Sequence, residues 1–254
     1  VELFEKTPQD VISRIVYLLQ GKLRPDFEGI ELGVAERLAI RAIAKSAGSD
    51  NAEKNIESEY RKSGDLGHAA SKILEQKEQT TFMVQDITVE RVYENLFTIA
   101  KLEGSKTQDR KMKYISGLLN DASPVEAKFI LKILLGTLRL GVAENTVMDA
   151  LAIAFTGNKE NRKILEYAYN VSSDLGKVAE TIASKGLAGI EGFEINLFNP
   201  IRPMLADRVK SEEEAIEKLG IKFAAEYKLD GERVQLHIEG EKVVLFSRSL
   251  ENIT

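Results

Sequence analysis

Leu32-Gly33-Val34-Ala35-Glu36 recurs in this chain as Leu140-Gly141-Val142-Ala143-Glu144. A second pair keeps step with the first: Asp65-Leu66-Gly67-His68-Ala69-Ala70 is answered by Asp174-Leu175-Gly176-Lys177-Val178-Ala179. The spacing within the two copies is almost the same, which chance matches do not maintain. Upstream, Leu18-Leu19-Gln20-Gly21-Lys22-Leu23 answers Leu134-Leu135-Gly136-Thr137-Leu138, with extra residues around Pro25 in the first copy. We read one helical unit used twice, about 108 residues apart, over about 1–85 and 110–190.

Outward from these repeats, 1–198 reads as helices separated by short Gly, Ser and Asp breaks. Thr7-Pro8 is read as the cap and first residue of a helix running through Val11, Ile12, Ile15, Val16, Leu18 and Leu19. Arg37 to Lys45 is an amphipathic helix ending near Gly48, and further helices are expected over 89–102, 109–119, 124–135, 144–155, 161–169 and 175–184. No strand pattern of comparable length precedes residue 220.

Each copy places glycines before or at the start of a helix, Gly33 and Gly141 among them. Helix N-termini expose backbone N–H groups and a partial positive charge, which suits phosphate. Arg37, Arg41, Lys132, Arg139 and Lys177 lie nearby in sequence and could add counter-charge. The competing reading is structural: the glycines permit tight helix–helix turns and the basic residues form a solvated face.

The pattern changes after Asn199-Pro200-Ile201-Arg202-Pro203, where a domain boundary is expected. Ser211 begins one more helix. Phe223-Ala-Ala-Glu226-Tyr-Lys228 then reads as a strand entering a turn at Asp230-Gly231, with the sheet starting at about Lys222. Val234, Leu236 and Ile238 alternate as in a half-buried strand, Glu239-Gly240-Glu241 turns, and Lys242 to Ser247 returns beside it. Lys228 would thus sit at a strand end. A lysine becomes a nucleophile only when neutral, so its ordinary pKa of about 10.4 must be lowered by cations or desolvation. Arg233 and Arg248 are placed to converge there and to hold phosphate oxygens.

Composition bounds the rest. The chain has 254 residues, 43% hydrophobic and 30% charged, with a formal net charge of −5 and no cysteine. Disulfides, thiolate metal sites and cysteine nucleophiles are excluded. With only His68 and His237, a histidine-built metal site or triad is not expected. The net charge does not advertise a nucleic-acid binder, but binding depends on a local basic face.

Lys228-Leu229-Asp230-Gly231-Glu232-Arg233 resembles motif I, Lys-x-Asp-Gly-x-Arg, of the covalent nucleotidyltransferases: ATP-dependent DNA ligases, RNA ligases and capping enzymes. Ser247-Arg248-Ser249 resembles the family's next motif. The run from Ile133 to Ala150, extended by Tyr169 to Gly176, is similar to the helical DNA-binding domain of archaeal and eukaryotic ATP-dependent DNA ligases, and Pro200 to Ala206 resembles the entrance to their adenylation domain. The resemblance covers nearly the whole chain. It implies a multidomain protein: an all-α DNA-binding domain over 1–198 with the internal repeat, then the beginning of an α+β adenylation domain over 199–254, truncated.

The resemblance further implies ATP and Mg²⁺, with Lys228 forming lysyl-AMP, Glu226 selecting adenine, and Arg233 and Arg248 binding ribose and phosphates. The metal ligands are expected beyond Thr254, so none is assigned here, and this chain alone is expected not to seal nicks. Nicked duplex DNA is the expected partner, gripped near Gly33, Arg37, Arg139, Gly141 and Lys177. The expected setting is intracellular, cytoplasmic and nucleoid-associated, in a monomer serving replication, repair, recombination and the cell cycle. The polar break at 75–85 reads first as an exposed loop, and otherwise as a sliding-clamp contact through Gln79, Phe82 and Met83. An RNA ligase or capping-type enzyme, and a non-catalytic DNA-binding module, are the alternatives.

Overall fold

Apolar residues at helical spacing become helices along most of the chain. The computed structural model describes residues 1–49, 51–76, 86–104, 106–204, 207–227 and 229–254. The helices are α1 (Glu2–Lys6), α2 (Ile12–Leu19), α3 (Glu36–Ala47), α4 (Ala52–Ser63), α5 (Leu66–Glu75), α6 (Val89–Lys101), α7 (Thr107–Asp121), α8 (Pro124–Leu134), α9 (Glu144–Thr156), α10 (Arg162–Ser172), α11 (Leu175–Glu191) and α12 (Glu212–Leu219). One antiparallel hairpin, β1 (Gln235–Glu239) and β2 (Lys242–Phe246), follows.

Starts and stops have local causes. Ser123 and Glu126 close a capping box at α8, with Pro124 in the first turn. Asp65 and Asp174 cap α5 and α11 by accepting the His68 and Lys177 N–H. Gly48 and Gly157 end α3 and α9 in the left-handed conformation. Two expectations are corrected. The first long helix does not begin at Pro8, because Thr7 Oγ1 donates back to the Leu3 carbonyl and so ends α1. Helix α11 does not stop at Ser184; it breaks at Gly186 and resumes, because Ile190 is buried in the core beneath it.

Two hydrophobic cores result, and neither follows chain order. One gathers Ala39, Ile40, Ala42 and Ile43 of α3 with α4 to α8 around Ile56, Leu96, Ile115 and Leu131. The other joins Phe4 of α1, Ile12 and Val16 of α2, and α9 to α11 around Leu151, Leu165 and Val178. Helix α2 packs on α11, and α8 packs on α5. The two crossings are alike in detail. Tyr17 of α2 donates to Asp174 at 2.7 Å, and Lys132 of α8 pairs with Asp65 at 2.6 Å. Gly176 and Gly67 sit at the points of closest approach, where a Cβ would come 2.3 Å from Tyr17 Cζ and 2.7 Å from the Lys128 carbonyl oxygen.

The expected strand over 222–227 is absent. Those residues have no ladder partner among the described residues, and an unpaired strand leaves its N–H and C=O groups to water. Nor does β1 bury its apolar face. Leu236 is 57% exposed and Ile238 54%, with Val243 beside them on the same face. The inward positions are taken by Gln235 and His237, which bond the backbone of the segment before them: Ile201 N–H donates to Gln235 Oε1 at 3.0 Å and Phe198 N–H to His237 Nδ1 at 3.0 Å. Phe246, fully buried, packs edge-on against His237. Among the described residues, no helix is long and apolar enough to cross a membrane.

Candidate active site

After β2 the chain doubles back at once. Leu250 N–H donates to the Ser247 carbonyl, Ser247 N–H to the Glu251 carbonyl, and Ile253 N–H to the Leu245 carbonyl. This tight return puts Arg248 at the tip of a turn, exposed, with Ser247 and Ser249 hydroxyls 3.0 Å apart on either side. Gly231, Glu232 and Arg233, on the approach to β1, face the same turn. Together these six residues line an open hollow of about 550 Å³. Arg233 and Arg248 therefore meet at one place, as their spacing suggested. Neither has a carboxylate partner within ion-pair distance among the described residues. Two guanidinium groups flanked by hydroxyls form a surface suited to an anion with several oxygens.

Glu226 does not join them. It is exposed in the unpaired stretch and lines no part of the hollow. Lys228 lies outside the described residues, as do Gln79, Phe82 and Met83. Among the described residues, no group of three or more histidines and carboxylates stands close enough together to hold a metal ion.

Residues 1–152 match the family model described as DNA ligase N terminus. This chain belongs to the DNA ligase family. Residues 203–254, which include the hollow, match the model described as ATP dependent DNA ligase domain. A DNA ligase of Nitrosopumilus maritimus (strain SCM1) is 81% identical over 254 residues, covering 100% of this chain and 43% of that protein. A DNA ligase of Cenarchaeum symbiosum (strain A) is 67% identical over 253 residues, with the same coverage. A probable DNA ligase of Aquifex aeolicus (strain VF5) is 46% identical over 257 residues, again at 43% of its length. The chain thus spans about two fifths of these relatives.

The helical candidates of this ligase chain divide by what their groups already do. Gly33 (φ 54°) and Gly141 (φ 69°) are exposed, in left-handed turns three residues ahead of α3 and α9. Both helices start after an alanine, Ala35 or Ala143, that offers no side-chain cap. The Leu38 and Thr146 N–H groups turn back to the Ala35 and Ala143 carbonyls, which leaves the first two N–H groups of each helix facing outward. Their first residues are acids whose carboxylates are turned aside. Tyr60 donates to Glu36 at 2.7 Å, and Tyr169 to Glu144 at 2.5 Å. Arg37 and Arg139 are exposed. Lys177 is exposed too, but its N–H is spent on the Asp174 cap and its ammonium lies 5.8 Å from the Phe193 ring centre. Lys132 is corrected: it is tied to Asp65 and is not a spare counter-charge.

Sequence reasoning missed Lys111. It is buried, and its Nζ donates to the Leu32 and Gly33 carbonyls at 2.8 and 3.2 Å, holding the Gly33 turn from below. Burial pulls its amine below the usual lysine range. A lysine at position 111 carries no sequence signal for this, since its partners lie 78 and 79 residues away.

Proposed function

We propose that the full-length protein is an ATP-dependent DNA ligase that seals nicks in duplex DNA through a covalent lysyl-AMP. The observation that carries this reading is the meeting of Arg233 and Arg248 beside Gly231, which Lys228 precedes by three residues in the sequence, in a chain of the ligase family. The neutral Lys228 amine attacks the α-phosphorus of ATP. A P–N bond forms, the bond to the bridging oxygen of the β-phosphate breaks, and pyrophosphate leaves as the nitrogen loses a proton to solvent. AMP then passes to the 5′-phosphate at a nick, and the 3′-hydroxyl displaces it to close the strand. Arg233 and Arg248 hold ribose and phosphate oxygens, where charge accumulates in each transfer. Glu226 reads the adenine once 222–227 is paired into the sheet. Mg²⁺, which the family resemblance implies, would neutralise charge on the phosphate oxygens, and no residue of this chain is assigned as its ligand.

The helical region grips the duplex. Its two halves arise from one duplicated unit, a reading supported by the matched Asp174–Tyr17 and Asp65–Lys132 contacts and the matched Glu–Tyr pairs. Gly33 with Arg37 and Gly141 with Arg139 present equivalent open helix starts to phosphates, with Lys177 adding charge. The protein works as an intracellular monomer in replication, repair and recombination, with a clamp contact through Gln79, Phe82 and Met83 as a further element. An RNA-end or cap-forming enzyme would share Lys228 to Arg233, but the match of 1–152 favours DNA.

The test is full-length protein with α-labelled ATP and Mg²⁺, beside Lys228→Ala. Wild type should take label that is stable to alkali and labile to acid, and nicked duplex should discharge it. Label retained by Lys228→Ala would remove the lysine from the mechanism.

A further inference from the structure

The segment 198–202 is fastened on both sides. Toward the helices, Ser173 Oγ donates to the Pro200 carbonyl and Arg202 N–H donates to the Asn170 carbonyl at 2.8 Å. The Arg202 guanidinium donates to Glu144 Oε2 at 2.7 Å and to the Tyr169 hydroxyl at 2.6 Å, and its carbon lies 4.2 Å from the Tyr169 ring centre. Toward the hairpin, the Ile201 N–H and C=O bond both ends of the Gln235 amide, and Phe198 bonds His237. A continuous path therefore runs from Glu144, the first residue of α9 beyond the Gly141 turn, through Arg202 and Ile201 to Gln235. Gln235 stands two residues after Arg233 of the nucleotide motif.

We propose that Arg202 is a positioning residue for ligation: it seats the nucleotide-bearing hairpin on α9 and α10, so that DNA held at the Gly141 turn meets the adenylate in one geometry. This rests on the ligase reading above. An internal comparison separates seating from folding. Glu36 and Tyr60 make the same carboxylate–hydroxyl bond at the start of α3, with no arginine joined to it among the described residues. The Glu–Tyr bond thus forms without a guanidinium. What Arg202 adds at the second pair is the attachment of 198–202. It also neutralises a carboxylate that would otherwise stand beside incoming phosphate at the open start of α9.

The experiment uses full-length Arg202→Ala, Glu144→Gln and the double variant. Self-labelling with α-labelled ATP should stay within about twofold of wild type, because no ATP contact is removed. Transfer of AMP from pre-labelled enzyme to saturating nicked duplex should slow by about tenfold or more, since misplaced reactants lose rate steeply. The double variant should be no slower than the slower single, as expected for one shared interaction. Amide exchange over 198–202 should quicken. Transfer at the wild-type rate, or loss of self-labelling together with thermal stability, would overturn the proposal, the latter because the residue is then only structural. If wild type takes no label, the ligase reading falls instead. Exchange over 198–202 in Arg202→Ala then decides the seating, and unchanged protection overturns it.

Discussion

Asp65 and Asp174 each do two jobs from one carboxylate. Each caps its helix and each receives the side chain of a distant helix, Lys132 for Asp65 and Tyr17 for Asp174. Aspartate before an apolar helical run is a start signal, though at these two positions the sequence reading uses it only as part of the repeat. The partners were not legible, because they lie 67 and 157 residues away and only packing brings them in. Burial by itself raises the Asp65 carboxyl. The Lys132 ammonium and the His68 and Gly67 N–H groups outweigh it and hold the group below the usual aspartate range. A carboxylate whose folded pKa is depressed contributes stability above its unfolded pKa of about 3.9 and loses it as pH falls through the lower folded value. Asp65→Asn keeps a capping oxygen but loses the charge facing Lys132, so it should be less stable than wild type by up to about 1 kcal/mol at pH 7, the size of a partly exposed ion pair. The difference should shrink below pH 4. Urea unfolding at the two pH values measures it, and a gap that persists in acid would show that the charge is not responsible.

Helix α11 meets α2, and α5 meets α8, at a glycine in the first turn of the capped helix. The sequence reading offered two uses for the repeated glycines, phosphate contact or close helix approach. Close approach holds for Gly67 and Gly176, crossing points filled by Lys128 and Tyr17, whereas Gly33 and Gly141 stay exposed. Periodicity could not make this division, because it reports which face is apolar and not what lies against it. Gly176→Ala should destabilise by about 1–3 kcal/mol, as for a methyl forced into a packed contact. Gly117→Ala in α7, where an added Cβ meets nothing within 4 Å, should be neutral or stabilise by up to about 1 kcal/mol. Denaturation midpoints of the pair, measured side by side, check both signs.

Across the whole molecule, the helical part buries two continuous cores, whereas the hairpin leaves Leu236, Ile238 and Val243 open and 222–227 unpaired. A protein of residues 1–254 should accordingly bind nicked duplex with strong salt dependence and transfer no AMP to it. Arg139→Ala should weaken that binding and flatten the slope of log affinity against log salt by about one, the share of a single phosphate contact. An unchanged slope would remove Arg139 from the interface. What the sequence by itself determined was the local part: that most of the first 198 residues are helical, the hairpin turn, and the family, through residues contiguous in the chain. The helix ends expected at Pro8 and Ser184 are misplaced, because the Thr7–Leu3 bond and the burial of Ile190 decide them. Two guanidinium groups 15 residues apart could be placed at one hollow because a hairpin folds back on itself. The tertiary structure alone decided that α2 packs on α11 and α8 on α5, that Lys111 lies beneath the Gly33 turn, that Gln235 and His237 rather than Leu236 and Ile238 face inward, and that Arg202 ties the segment before the hairpin to α9 and α10. Those depend on contacts between residues far apart in sequence, whose free energy exists only once the chain has closed the loops between them.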